Sequence, residues 1–355
     1  MIKEYLRKDL LHFQPYHAVN KPYDVKIDAN ENPFSHCPQV IEAATRWLSN
    51  KDHFTRYPDS DNLKLRQKIA EVFNVSDTQV TCGVGSDQLI ECIIKAFIEP
   101  GECVLVPNPS FSMYELYTTL SHGKAISYEL REDFSYDIGS IIRMYEANHP
   151  KIVFICTPNN PTGSIFLKSE IKKLLEIVKC PVVIDEAYGE FFQDSMISDL
   201  MEYPQIIILK TFSKAYGLAG LRVGYAIASQ EMIECVNICK PPYNLSSFSS
   251  EMARSVLEHV DYYLQLVQEM INNRELLMQK LEDIGCFERI YPSSSNFILV
   301  KTKAQDLVEF LETHKILVRG YGFTGRLSHC IRISVGTEAE NKQLIDTLKA
   351  YLLRH

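Results

Sequence analysis

The segment that decides the fold is Leu209-Lys-Thr-Phe-Ser-Lys-Ala-Tyr-Gly-Leu-Ala-Gly-Leu-Arg-Val-Gly-Tyr225. Within it, Lys214 follows an apolar, strand-like run and precedes a turn of small residues. An amine held in a tight pocket can form a Schiff base with a carbonyl compound. Ser213 beside it, and Arg222 eight residues further on, suit a phosphate on the same compound. A solvated surface lysine is the commoner interpretation of a lone Ser-Lys pair, but the rest of the chain favours a covalent anchor.

Two further strand-like segments end in polar residues. One is Ile152-Val-Phe-Ile-Cys-Thr-Pro-Asn-Asn-Pro-Thr-Gly163, and the other is Val182-Val-Ile-Asp-Glu-Ala-Tyr188. Asn160, Asp185 and Lys214 follow one another about 25 to 30 residues apart, each at or beyond the end of an apolar run. This order fits side chains gathered at the carboxyl edge of an open α/β sheet.

The residue types at this edge match the needs of pyridoxal 5'-phosphate. The cofactor accepts electrons only while its pyridine nitrogen stays protonated, and a carboxylate such as Asp185 raises the pKa of that nitrogen. Asn160 and Tyr188 are of the right type to hydrogen-bond the ring oxygen. We therefore predict Lys214, Asp185 and Tyr188 as the catalytic residues of a pyridoxal-phosphate enzyme.

These motifs resemble those of the fold-type I pyridoxal-phosphate aminotransferases, and the chain more closely resembles the histidinol-phosphate aminotransferases. The resemblance implies transamination of L-histidinol phosphate with 2-oxoglutarate, giving imidazole acetol phosphate and glutamate in histidine biosynthesis. It extends almost from end to end of the chain. The matching segments are Gln14-Pro-Tyr16, Asn30-Glu-Asn-Pro33, Arg56-Tyr-Pro-Asp59, Gly83-Val-Gly-Ser-Asp87 and Ile331-Arg-Ile-Ser-Val-Gly-Thr337.

The glycine-containing turn Gly83-Val-Gly-Ser-Asp87 is the expected site of the cofactor phosphate. Glycines that admit an anion to backbone amides, followed by a helix N-terminus, can form such a site. A dinucleotide-binding loop would require a third glycine where Gln88 stands, and a P-loop would require Gly-Lys-Ser/Thr, so an NAD-dependent dehydrogenase is disfavoured. Alone, the turn could equally be a capped strand-to-helix connection. With the lysine segment in view, the phosphate ligands are predicted to be Gly85, Ser86, Asp87, Thr211, Ser213 and Arg222.

The resemblance implies roles for two aromatic residues. Phe111 stands where the family places a ring over the face of the pyridine, often as tyrosine, and phenylalanine keeps that stacking. Tyr57 resembles the tyrosine that reaches the cofactor phosphate of the neighbouring subunit, which implies a homodimer with shared active sites. Packing in the core and a surface turn, respectively, are the ordinary alternatives.

Substrate specificity is expected to depend on residues near the chain ends. Arg332 lies in an alternating strand, where a buried guanidinium suits a bound carboxylate, and it matches the carboxylate-binding arginine of the family. Arg319 resembles an arginine used for the substrate phosphate, and Tyr16 resembles a tyrosine that contacts the same phosphate. Arg326 lies in a nearby glycine-rich loop and could replace Arg319 in this role.

The alternation of strands and helices predicts an α/β protein with a mostly parallel sheet flanked by helices, and a smaller α/β domain. The family resemblance implies that this arrangement is similar to that of aspartate aminotransferase. We predict a large pyridoxal-phosphate-binding domain over residues 45–245, and a second unit formed by residues 1–44 and 246–355. A long helical segment is expected over residues 249–281. Strands are expected near residues 79–82, 103–106, 124–128, 152–156, 182–184, 205–209, 223–228, 297–301, 317–319 and 330–335.

Composition limits the remaining classes of function. The net charge is −8 without a basic run, which disfavours nucleic acid as a partner. No apolar run approaches a membrane span, the first residues do not resemble a signal peptide, and no metal site is indicated, so a cytoplasmic enzyme is expected. The alternatives within the fold are an aromatic amino-acid aminotransferase and a threonine-phosphate decarboxylase. A silent cofactor-binding sensor would be expected to carry a DNA-binding module.

Overall fold

The computed structural model describes residues 2–11, 13 and 21–354. Within these ranges, the strand-like runs between residues 80 and 228 form a seven-stranded sheet in the order β2-β8-β7-β6-β5-β3-β4. Only β8 runs against its neighbours in this sheet, and the other adjacent pairs are parallel. The strands are β1 (Val25–Lys26), β2 (Val80–Val84), β3 (Cys103–Asn108), β4 (Lys124–Glu129), β5 (Ile152–Cys156), β6 (Val182–Asp185), β7 (Ile206–Thr211), β8 (Val223–Ala228), β9 (Arg289–Ile290), β10 (Phe297–Lys301), β11 (Ile316–Leu317), β12 (Arg319–Gly320) and β13 (Cys330–Ser334).

Helices cover both faces of this sheet, which confirms the predicted α/β class. They are α1 (Pro38–Leu48), α2 (Asp52–Thr55), α3 (Leu63–Phe73), α4 (Gly85–Phe97), α5 (Met113–Leu120), α6 (Ile138–Asn148), α7 (Lys168–Ile177), α8 (Gln230–Ile238), α9 (Ser247–Glu258), α10 (Val260–Ile284), α11 (Leu307–Thr313) and α12 (Glu338–Leu352). None of the described helices is long and apolar enough to cross a membrane.

The central strands are apolar along their whole length because both of their faces are buried. Val182 and Ile184 of β6 point into the layer that α6, α7 and α9 cover. Val183 points into the opposite layer, which α4, α5 and α8 cover. Since side chains alternate along a strand, this short run contributes to two separate cores.

The smaller lobe is built on the antiparallel sheet β12-β13-β10-β9 and has a core of its own. An N-terminal arm joins it, because β1 pairs with β11 in parallel and Ile27 accepts a hydrogen bond from the Ser334 amide. Helix α10 contributes Met270 to the core of the large sheet and Leu281 to that of the small lobe. The division at residues 245 and 246 stays a prediction.

The long helical segment expected over residues 249–281 is helical but is divided into two helices. Helices α9 and α10 are separate, and His259 between them has φ −121° and ψ 34°. No glycine or proline marks this break in the sequence, so hydrophobic periodicity alone could not place it.

Lys210 of β7 and two glutamates form a buried ion cluster that the sequence did not suggest. Lys210 of β7 is 3.0 Å from the Glu190 carboxylate and 3.4 Å from that of Glu186, and all three side chains are buried. Glu186 also accepts hydrogen bonds from the Ser195 hydroxyl and the Met196 amide. Despite the loss of hydration, the two carboxylates raise the pKa of Lys210.

Candidate active site

A cavity of about 610 Å³ opens at the carboxyl ends of β5, β6 and β7. This is the edge of the sheet at which the sequence placed the polar residues. The arm (Asp28, Ala29 and Asn30) and the small lobe complete its walls. The predicted site residues that line it are Ser86, Asp87, Phe111, Asn160, Asp185, Tyr188, Thr211, Ser213, Lys214, Arg222, Arg319 and Arg332.

The amine of Lys214 lies within this cavity, three residues beyond the end of β7. Its Nζ donates a hydrogen bond to the Ala29 carbonyl at 3.0 Å and lies 5.8 Å from the centre of the Tyr188 ring. Loss of hydration, and secondly the positive charge of Arg332, lower the pKa of Lys214 to about 8. A substantial fraction of this amine is therefore neutral near physiological pH, as a nucleophile must be.

Asp185 ends β6 as a buried carboxylate at the base of the cavity. Its Oδ2 accepts a hydrogen bond of 2.6 Å from the Tyr114 hydroxyl, and its Oδ1 accepts one from the Ala187 amide. Burial raises the pKa of Asp185 to about 6, although both hydrogen bonds act in the opposite direction. Among the described side chains no cation forms an ion pair with Asp185, so the carboxylate is suited to a cationic group bound in the cavity.

Residues of the first turn of α4, of the end of β7 and of the segment between β7 and β8 form a cradle for an anion, which we call the phosphate cradle: Gly85, Ser86, Asp87, Thr211, Ser213 and Arg222. Arg222 Nη2 binds Asp87 Oδ2 at 2.9 Å, and Nη1 lies 3.5 Å from Ser213 Oγ. Gly85 has φ +70°, and a Cβ on it would lie 2.7 Å from Arg222 Nη2. The helix N-terminus, three hydroxyls and a guanidinium together suit a phosphate.

Asn160 and Tyr188 both line the cavity, and each is hydrogen-bonded to a neighbouring side chain. Arg332 Nη1 donates to Asn160 Oδ1 at 2.6 Å, which leaves the amide nitrogen of Asn160 as its donor end. The hydroxyl of Tyr188 accepts a hydrogen bond of 2.9 Å from Asn30 Nδ2. Both residues are thus held by neighbours that fix their orientation.

The two arginines proposed for the substrate occupy neighbouring strands of the small lobe. Arg319 of β12 lies directly opposite Arg332 of β13, and both line the cavity. Arg326 is instead bound to Glu129 Oε2 at 2.6 Å and to two main-chain carbonyls. It does not line the cavity, so Arg319 is the better candidate for the second anion site. Tyr16 lies outside the described residues.

Of the predicted aromatic residues, Phe111 lines the cavity and packs edge-on against Tyr114, with ring centres 5.7 Å apart. Tyr57 does not line the cavity of its own chain. Its side chain is 82% exposed and stacks on Tyr243 at 4.7 Å. Its proposed contact with a neighbouring subunit stays a prediction.

Comparison with known proteins identifies the family. The model of the family described as aminotransferase class I and II matches residues 23–348. The chain belongs to the class I and II aminotransferases. A histidinol-phosphate aminotransferase of Ruminiclostridium cellulolyticum is 40% identical over 354 residues, covering 99% of each chain. Another from Thermoanaerobacter pseudethanolicus is 38% identical, covering 99% of this chain and 100% of that one.

Solved structures agree with this assignment. The histidinol-phosphate aminotransferase of Sinorhizobium meliloti, in complex with pyridoxal-5'-phosphate, superposes with a TM-score of 0.87 at 25% identity, covering 94% of this chain and 92% of that chain. An aspartate aminotransferase of Thermotoga maritima shares the fold, with a TM-score of 0.78 at 21% identity and with 93% and 92% covered. The resemblance to histidinol-phosphate aminotransferases, and the aspartate-aminotransferase-like fold, are confirmed.

Sequence reasoning missed two side chains that hold predicted site residues. Asn30 was noted only as part of a motif, yet its side chain is buried against Tyr188. Tyr114 lies on α5 and follows the ordinary pattern of an amphipathic helix, although its hydroxyl binds Asp185. No signal in the sequence distinguished Tyr114 from a core residue. Asn30 adopts a left-handed backbone conformation, which is common for asparagine, but the sequence alone did not mark it as a site residue.

Proposed function

We propose that this aminotransferase uses pyridoxal 5'-phosphate to transfer the amino group of L-histidinol phosphate to 2-oxoglutarate, in histidine biosynthesis. The products are imidazole acetol phosphate and glutamate. The observation that carries the proposal is a neutralisable lysine amine, Lys214, that shares one cavity with a buried carboxylate, a phosphate cradle and two arginines. The full-length similarity to histidinol-phosphate aminotransferases supports the choice of substrate.

The residues of the cavity fit the proposed cofactor. Asp185 would bind the protonated pyridine nitrogen, since a buried carboxylate with a raised pKa is stabilised by a cation. The phosphate cradle would hold the phosphate, Phe111 would stack on the ring, and Lys214 would bind the carbonyl carbon. When bound, the cofactor supplies an electron sink for the charge that develops at the substrate α-carbon.

The protein then contributes orientation and proton transfer. Lys214 Nζ would take the proton from the substrate α-carbon as a general base and later return a proton as a general acid. A pKa near 8 suits both roles at physiological pH. Asn160 and Tyr188 would donate hydrogen bonds to the ring oxygen. With 2-oxoglutarate as the second substrate, Lys214 would move the same protons in the reverse order.

Two guanidinium groups on adjacent strands explain how two different anionic substrates can share one site. Arg332 is proposed to bind a carboxylate of glutamate or 2-oxoglutarate, because its planar fork matches a carboxylate. Arg319, opposite it, is proposed to bind the phosphate of histidinol phosphate. Tyr16 of the N-terminal segment is proposed to contact the same phosphate.

The active unit is proposed to be a homodimer in the cytoplasm. Tyr57 and Tyr243 form an exposed aromatic pair, and aromatic residues are enriched at subunit interfaces. In this proposal Tyr57 reaches the cofactor phosphate of the neighbouring subunit. Light scattering should give twice the mass of one chain, and a monomer that retains full turnover would exclude shared sites.

The half-reaction tests the proposed activity directly. Protein reconstituted with pyridoxal 5'-phosphate is mixed with histidinol phosphate alone, and the visible absorption band of the lysine-bound cofactor is followed. The band should be lost and should return on addition of 2-oxoglutarate, whereas Lys214→Ala should form no such band. A band that responds to phenylalanine or tyrosine but not to histidinol phosphate would assign the aromatic amino-acid activity instead.

A further inference from the structure

The N-terminal arm brings one buried side chain, Asn30, into contact with the active site. Asn30 is 1% exposed and adopts the left-handed conformation, with φ 55°. Its Nδ2 lies 2.9 Å from the Tyr188 hydroxyl, and its main-chain carbonyl accepts a hydrogen bond from Asn296 Nδ2 at 3.1 Å. The backbone of Asn30 is therefore held independently of its contact with Tyr188.

Ser334 determines which end of the Asn30 amide faces Tyr188. The Asn30 main-chain N–H donates to Ser334 Oγ at 2.8 Å, so this hydroxyl acts there as an acceptor. Its own proton is directed to Asn30 Oδ1 at 2.9 Å, the acceptor within reach in this buried position. With Oδ1 bound to Ser334, the amide nitrogen is the end that meets Tyr188.

A donor at this position fixes the direction of the Tyr188 proton. The amide nitrogen has only protons to offer, so the Tyr188 oxygen must accept from it. The single phenolic proton then has to point elsewhere, and Tyr188 lines the cavity. Had the carbonyl end of Asn30 faced Tyr188, the phenol would have donated its proton to the arm instead.

We propose that Asn30 is a positioning residue that, held by Ser334, directs the Tyr188 hydroxyl proton into the cavity and so makes Tyr188 a donor to the cofactor ring oxygen. This deepens the proposed function and rests on it for the identity of the cofactor. It goes further by assigning a role to the arm, which no part of the half-reaction assay would detect.

The variant Asn30→Asp tests the direction of this proton, because aspartate keeps the shape of asparagine and tolerates a positive φ. Its carboxylate can only accept, so Tyr188 should turn its proton towards residue 30. The readout is the pH titration of the visible band of the substrate-free holoenzyme, which reports the pKa of the Lys214 nitrogen bound to the cofactor. A donor to the ring oxygen weakens the attraction between that oxygen and the protonated nitrogen, so its loss raises this pKa.

Loss of one hydrogen bond to a charged oxygen should raise the titration midpoint by about one unit. The new carboxylate also raises the midpoint by its charge, so Asn30→Asp is measured again in the Tyr188→Phe background. In the Tyr188→Phe background only the charge of the new carboxylate acts on the midpoint. The rise caused by Asn30→Asp should therefore be smaller by about one pH unit than in the native background. Asn74→Asp is the matched control, since Asn74 also has a positive φ, is exposed and does not line the cavity.

A charge-neutral variant covers the case in which Asn30→Asp does not fold. Ser334→Ala releases the Asn30 amide, which can then turn its carbonyl end to Tyr188, and the midpoint should again rise only when Tyr188 is present. Equal shifts in the native and Tyr188→Phe backgrounds would overturn the role of Asn30. A native protein that forms no visible band would overturn the proposed function as well, whereas a failure to react with histidinol phosphate would leave the titration interpretable.

Discussion

Replacing Gly85 with alanine should weaken the binding of the cofactor phosphate while leaving the ring site intact. The added Cβ would lie 2.7 Å from Arg222 Nη2, closer than two such atoms can approach. The guanidinium lies at the end of a flexible side chain, so we expect it to move rather than the backbone. Its bond of 2.9 Å to Asp87 would be lost, together with its position in the phosphate cradle.

The magnitude follows from the interaction that is lost. A hydrogen bond to a charged group is worth about 1.5 to 3 kcal/mol, so removal of one between Arg222 and the phosphate should weaken binding roughly 10- to 150-fold. Pyridoxal, which lacks the phosphate, should bind Gly85→Ala as it binds the native protein. The assay is a titration of apoprotein with each compound, followed by the visible absorption of the bound form.

Gly285→Ala provides the matched control for this experiment. Gly285 has the same φ of +70°, but a Cβ there would meet no atom within 4 Å. Both variants should lose about 1 to 2 kcal/mol of folding stability, because alanine is strained in a left-handed conformation. Only Gly85→Ala should lose affinity for the phosphate. An equal loss of affinity for pyridoxal and pyridoxal 5'-phosphate would refute the reasoning, as would binding by Gly85→Ala at native strength.

Three further predictions concern charged residues. Lys210→Met should lower the free energy of unfolding by about 3 to 5 kcal/mol in urea denaturation, because the two buried glutamates lose their cation. Lys95→Met is the control, since it breaks an exposed ion pair and should cost under about 1 kcal/mol. The rate of cofactor attachment, followed by stopped-flow absorbance, should rise with pH, with a midpoint near 8 where half of the Lys214 amine is neutral, and should level off at higher pH. Arg332→Gln should move that midpoint to higher pH, since its charge helps to lower the pKa of Lys214, and an unchanged midpoint would contradict this electrostatic account.

The sequence predicts the large sheet well because its strands are runs of mostly apolar residues. Runs such as Ile152–Cys156 and Ile206–Thr211 are apolar or fully buried throughout, and each is followed by a polar residue or a turn. Ligands at the carboxyl ends of adjacent parallel strands must meet, so the order Asn160, Asp185, Lys214 already implies a common site. The residues predicted to line the cavity therefore follow from the topology of the sheet and not from the details of side-chain packing.

What the sequence could not predict depends on contacts between distant segments. The choice between Arg319 and Arg326 was open in the sequence. Nothing near Arg326 in the chain shows that it binds Glu129 and the two main-chain carbonyls just beyond β4. The role of Asn30 was hidden for the same reason, since its partner Ser334 lies 304 positions away. Periodicity is a local property, and these contacts form only after the two lobes and the arm have come together.

A single strand of the small lobe orients both proposed donors to the cofactor ring oxygen. Arg332 and Ser334 lie two residues apart on β13, so their side chains project from the same face. Arg332 donates a hydrogen bond to the side-chain amide oxygen of Asn160, and Ser334 donates one to that of Asn30. The amide nitrogen of Asn30 then donates to the Tyr188 hydroxyl. The strand that carries the proposed substrate anchor is thus also the strand that presents Asn160 and Tyr188 as donors. An Arg332 variant should therefore alter the spectrum of the substrate-free holoenzyme as well as substrate affinity, and a change in affinity alone would separate the two roles.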